Sequence, residues 1–106
     1  MLIKEGASLQ GLSIQMRPAL ISAERIWKKY GRSEGVTVTS GTDGCHSAGS
    51  LHYYGYGLDF RIRYFSEPIA LAVSEELSVS LSSISDKYQV ILLGDHIHVE
   101  YDITKN

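Results

Sequence analysis

A single cysteine, Cys45, is all the chain has, so no internal disulfide framework holds it together. Basic runs are missing too. Lys and Arg are spread along the chain and the formal net charge is -2, which gives no reason to expect a nucleic-acid partner. No apolar stretch is long enough to cross a membrane. The start, Met1-Leu2-Ile3-Lys4-Glu5-Gly6, lacks the charged head and apolar core of a signal peptide. The expectation is synthesis in the cytoplasm, with any later release left to another agent. Repeats and low-complexity tracts are absent. What remains is 106 residues, 43% apolar and 21% charged. That is enough for one soluble domain, residues 1–106, around one core.

Histidine is scarce as well, and its placement is uneven. The four histidines are His46, His52, His96 and His98. His52 lies in Ser50-Leu-His-Tyr-Tyr-Gly-Tyr-Gly-Leu-Asp59, and His96 and His98 lie in Asp95-His-Ile-His-Val-Glu100. Such clustering suits a metal site. Zinc takes neutral imidazole and carboxylate ligands, and a catalytic zinc keeps one of four positions for water. His52 and Asp59 are seven residues apart, which fits a turn running into a strand better than one helical turn. Gly55 and Gly57 between them let the backbone bend and approach a ligand closely. From Leu58 to Tyr64 apolar and charged residues alternate, the period of a half-buried strand. Leu58, Phe60, Ile62 and Tyr64 are expected to face the core, with Asp59, Arg61 and Arg63 opposite. Likewise Ile97, Val99 and Tyr101 alternate with His96, His98, Glu100 and Asp102. If the two strands are neighbours, Asp59 and His98 meet on one polar face.

At these residues the chain resembles a known family. Ser50-x-His52-x-x-Gly55-x-Gly57-x-Asp59 is similar to the Ser-x-His-x-x-Gly-x-Ala-x-Asp signature of zinc peptidases that cut peptidoglycan stem peptides. These are the D-Ala-D-Ala carboxypeptidases and dipeptidases and the phage L-alanyl-D-glutamate endopeptidases; the Hedgehog signalling domain shares their fold. Asp95-x-x-His98 resembles the family's second element, an acidic base three residues before the last ligand. The resemblance covers roughly residues 36 to 102, and two linked motifs in order are more specific than either alone. It implies zinc on His52, Asp59 and His98, with Asp95 as general base. It also implies peptidoglycan stem peptides as the substrate and a Hedgehog-like fold. The small size looks like phage or prophage members, which reach the wall after release or travel in the virion. Two departures stand out. Gly57 replaces the usual Ala. The Arg that many members carry after an upstream Ser-Gly pair, to hold a substrate carboxylate, is missing after Ser40-Gly41. By strand parity Arg61 or Arg63 is the replacement cation.

The other elements read as follows. Leu2-Ile3 is either a short edge strand or a packed-down terminus. Gln15 to Tyr30 is helical, with Met16, Ala19, Leu20, Ala23, Ile26 and Trp27 on one face, Pro18 in the first turn and Gly31 as the C-cap. Val36 to Ser40 is a β-branched strand, followed by a loop from Gly41 to Ser50. Ser66-Glu67-Pro68 starts a second helix, with Ile69, Val73, Leu77 and Leu81 as its core stripe. Tyr88 to Leu93 and His96 to Asp102 form a hairpin about Gly94-Asp95. The expected fold is α+β, a small antiparallel sheet with two helices on one face and the zinc site on the other.

Lesser roles fall to neighbours. His96 shares a face with His98 and is a candidate to stabilise an oxyanion or support a ligand. Glu100 is the reserve base. His46 either contacts substrate or is an exposed loop histidine. Ser50 fixes its loop by hydrogen bonds, and Tyr53, Tyr54 and Tyr56 either line a groove or pack a turn. Two other readings compete. One makes Cys45 a nucleophile with His46 or His52 as base. The other is a non-catalytic zinc-binding module of a phage or prophage.

Overall fold

The computed structural model of the protein describes residues 1–43 and 55–105. Among the described residues five strands and two α-helices follow one another. They are β1 (Leu2–Ile3), α1 (Arg17–Lys29), β2 (Thr37–Ser40), β3 (Gly57–Arg61), α2 (Glu67–Ser82), β4 (Tyr88–Leu92) and β5 (His96–Tyr101). They build one sheet in the order β1-β2-β3-β5-β4. The class is α+β as expected, but the sheet is mixed rather than antiparallel. β1 runs parallel to β2, whereas β2–β3, β3–β5 and β4–β5 are antiparallel. The reason is the connection: a crossover containing α1 separates β1 from β2, and a parallel neighbour needs such a crossover.

Both helices cover one face of this sheet. Met16, Ala19, Ala23, Ile26 and Trp27 of the first helical region and Val73, Leu77 and Leu81 of α2 pack with Val36, Val38, Leu58, Phe60, Ile97 and Val99 in one cluster. Trp27 anchors it. Its ring meets Phe60 edge-on at 5.7 Å, and its indole N–H donates to the Arg61 carbonyl at 3.1 Å. Full burial of Phe60 stabilises by about 1.5–3 kcal/mol and holds β3 down against α1. The other face of β3 and β5 is left for polar side chains.

Several boundaries differ from the sequence expectation. A 3₁₀ turn at Ile14–Met16 precedes α1. α1 ends in a Schellman arrangement: Arg32 N–H donates to Trp27 O and Gly31 N–H to Lys28 O, with Gly31 at φ 99°. β3 stops at Arg61 rather than continuing to Tyr64. Ile62 N–H turns to the Asp95 carbonyl and Phe65 N–H closes back on Ile62 O. Tyr64 therefore leaves the sheet pattern and lies against Phe65 and the Arg32 guanidinium. Ser66 starts α2 through its carbonyl, which accepts from Ala70 N–H, and its hydroxyl makes no cap bond. Ile69 is 38% exposed, and Ala70 takes its place against the core. Among the described residues no helix is long and apolar enough to cross a membrane.

Candidate metal and acid–base site

Strand register makes the site. Asp59 lies directly across from His98, Arg61 across from His96 and Gly57 across from Glu100. Alternation then sends Leu58, Phe60, Ile97 and Val99 into the core and the polar residues to the opposite face. On that face acids and histidines alternate in space. His98 Nδ1 is 2.9 Å from Asp59 Oδ1, and His98 Nε2 is 3.5 Å from Glu100 Oε1. His96 Nε2 is 3.9 Å from the same Asp59 oxygen, and His96 Nδ1 is 2.7 Å from Asp95 Oδ1. The chain of contacts runs Glu100, His98, Asp59, His96, Asp95.

Its two ends differ in exposure. The side chains of Asp59, His98 and Glu100 are each 18–19% exposed, whereas Asp95 is 77% exposed. The bond from His96, then the charge that a protonated His96 adds, holds the Asp95 carboxyl below its usual range, with Arg63 contributing less. Asp95 is thus ionised at neutral pH, the state a base requires, although a lowered pKa also makes it a weaker base.

Asp59 and His98, the two expected ligands within the described residues, meet at hydrogen-bond distance across β3 and β5. Ligands about 2.1 Å from a tetrahedral zinc lie roughly 3.4 Å from each other, so the two atoms would have to part by about half an ångström to share an ion. In the absence of metal the pair forms a hydrogen bond, with Nδ1–H donating. To ligate through Nδ1, His98 must carry its proton on Nε2, where Glu100 stands to accept it. Metal-ligating imidazoles commonly donate their second N–H to a carboxylate. Among the described residues no group of three His, Cys, Asp or Glu side chains forms a metal shell. The third expected ligand, His52, lies outside the described residues, as do His46, Ser50, Cys45, Tyr53 and Tyr54. The flanks of that segment are anchored. Thr42 N–H donates to Ser8 O and Ser13 N–H to Gly55 O. Gly55 has φ 82°, and a Cβ there would come within 2.5 Å of Gly11 O, so glycine is required.

A cleft of about 230 Å³ opens beside this chain of contacts, lined by Lys4, Thr39, Ser40, Asp59, Arg61, Arg63, Asp95 and His96. Arg61 and Arg63 both reach it, although Arg63 sits beyond the strand end and not on the strand. No motif marks Lys4 or Thr39 as cleft residues, and Ser40 enters the sequence comparison only as half of the Ser40-Gly41 pair. Ser40 could have been found, since it pairs in register with Asp59. No protein-family model, curated protein or solved structure matches the chain.

Proposed function

We propose that this chain is a zinc-dependent peptidase that hydrolyses peptide bonds in peptidoglycan stem peptides. The observation that supports it best is the convergence of Asp59 and His98, predicted as ligands from separate motifs, at 2.9 Å on the polar face of the sheet. His52, Asp59 and His98 would hold the metal. A zinc ion there would supply Lewis-acid polarisation of the scissile carbonyl and acidify water. Asp95 accepts a proton from the attacking water and returns it to the leaving amine. His96 keeps Asp95 ionised and fixes one of its oxygens. Glu100, 3.5 Å from His98 Nε2, would accept the Nε2 proton when Nδ1 turns from Asp59 to the metal.

The test is digestion of purified peptidoglycan with added zinc and with a chelator, read by mass spectrometry. New fragments that disappear with chelator are the expected result. Free D-Ala would assign a carboxypeptidase, and a cut between L-Ala and D-Glu an endopeptidase. A second reading is a zinc-binding module without catalysis. The engagement of Asp95 by His96, which lowers its basicity, favours that alternative. Bound zinc with no fragment from any wall chemistry would establish it and remove the peptidase.

A further inference from the structure

The two edges of the sheet are unlike. β1 is two residues long, and the charged Lys4 and Glu5 follow it. β4 is five residues long. Proteins guard a long edge with a charge, a proline, a bulge or a covering loop. From Tyr88 to Gly94 there is no charge and no proline, and the register with β5 does not shift. Parity identifies the outward backbone groups. Leu93 N–H donates to His96 O, and Asp102 N–H to Lys87 O. Lys87, Gln89, Ile91 and Leu93 therefore turn their backbone groups to β5, and Tyr88, Val90 and Leu92 turn theirs outward. Among the described residues these outward N–H and C=O groups have no partner. Apolar side chains flank the edge on both sides of the sheet. Leu92 and Leu71 of α2 line a groove on the helix side, and Ile91, opposite His98, lies on the polar side. With Leu93 these side chains are 38–51% exposed.

We infer that β4 is a dimerisation edge, pairing antiparallel with β4 of a second copy of this chain across a two-fold axis at Val90. A partner resting on one face of the sheet would cover Leu92 or Ile91 and not both, whereas a strand in the plane of the sheet covers both. A second copy supplies that strand because the edge complements itself. With Val90 opposite Val90 of the second copy, Tyr88 stands opposite Leu92, and every outward N–H and C=O of the two copies pairs. The ends match as well. Lys87 and Asp95 bound the uncharged segment, so antiparallel pairing brings the basic end of one copy to the acidic end of the other. A parallel alignment would set like charges together. The two-fold axis stands perpendicular to the sheet, so the helices of both copies lie on one side and both acid–histidine chains open on the other. The two-residue β1 edge offers little to a third copy, and the assembly closes at two. Five residues span about 17 Å, a short seam that places the dimer at the weak end of interfaces, with a Kd of roughly 10–100 µM.

The experiment is sedimentation velocity on the intact chain from about 1 to 500 µM, a range that spans the expected Kd, with amide hydrogen exchange read by NMR at both ends of it. A monomer–dimer equilibrium is expected. The amides of Tyr88, Val90 and Leu92 should exchange more slowly as the dimer forms, while those of Gln89 and Ile91 are protected throughout by β5. Gln89→Lys with Ile91→Lys sets four cations along the seam and should weaken association by roughly 10-fold or more. Gln89→Glu with Ile91→Glu should do the same, and mixing the two double variants should restore a dimer of one copy of each. Both positions are exposed or partly exposed, so the monomer fold is retained, which circular dichroism checks. A chain that stays monomeric at every concentration overturns the proposal. So does a dimer in which the three outward amides exchange as fast as in the monomer, since its contact then lies elsewhere. Double variants that each associate as tightly as the parent chain overturn it too.

Discussion

His98 and His96 lie on the same face of β5, two residues apart, and each meets an aspartate through Nδ1. The distances are nearly equal, 2.9 Å to Asp59 and 2.7 Å to Asp95. What differs is how each aspartate is held. Asp59 belongs to a neighbouring strand, fixed by register over a buried core. Asp95 belongs to the hairpin turn and is exposed. A metal needs ligands that do not move, because their positions must be set before binding. A proton carrier needs access to water and room to reorient. Identical residue pairs therefore suit different tasks because one rests on the sheet and the other on a turn.

The largest effects should come from exchanging the aspartates one at a time. Asp59→Asn should weaken zinc binding by more than the roughly 10–100-fold typical of an outer partner and abolish hydrolysis with it. Asp95→Asn should keep zinc affinity within a few-fold and cut kcat by about 10²–10⁴. Competition with a chromophoric chelator measures the first quantity, and release of fragments from peptidoglycan the second. If both variants lose zinc equally, the two pairs are not functionally distinct and the division of labour is wrong.

Glu100→Gln probes the strand-held pair from its other side. Glu100 is 3.5 Å from His98 Nε2, placed to accept that proton if Nδ1 gives up its bond to Asp59 for a metal. Roughly a 10-fold loss of zinc affinity is expected, with the fold intact, as circular dichroism would show. Unchanged affinity would mean that Glu100 plays no part in orienting the imidazole.

How much of this was readable beforehand depended on periodicity. Leu58, Phe60, Ile97 and Val99 announce their face because a two-residue period admits only one buried side. Once β3 and β5 are neighbours, Asp59 and His98 must share the other side. Elements without a period were harder. Two residues, Leu2 and Ile3, carry no pattern, so the edge strand is only one of two readings of them, and neither its parallel direction nor the arrival of Lys4 in the cleft follows from the sequence. Ile62 continues the alternation of β3 although its N–H has already turned to the Asp95 carbonyl. The chain leaves the sheet with no change of hydropathy to mark it. Along α2 a strict four-residue spacing drifts about 40° per step, which carries Ile69 out of the stripe and brings Ala70 in.

The smallest effect concerns acid. In the folded protein the His96 bond lowers the Asp95 pKa from its ordinary 3.8. A lowered carboxyl stabilises the fold above its unfolded pKa, and the contribution is lost as pH falls through the folded value. His96→Ala removes the donor, so the Asp95 pKa should rise toward 3.8. The small acid-side loss of stability due to this pair should vanish from the metal-free protein. A carbon-detected NMR titration of the Asp95 carboxyl reads the shift directly. In the same variant the acidic limb of kcat/KM should move to higher pH, since Asp95 must be ionised to accept a proton. The turn-held pair predicts this response and the strand-held pair does not. An acidic limb that stays in place while the Asp95 carboxyl shifts would separate Asp95 from the proton transfer and pass the role of base to Glu100.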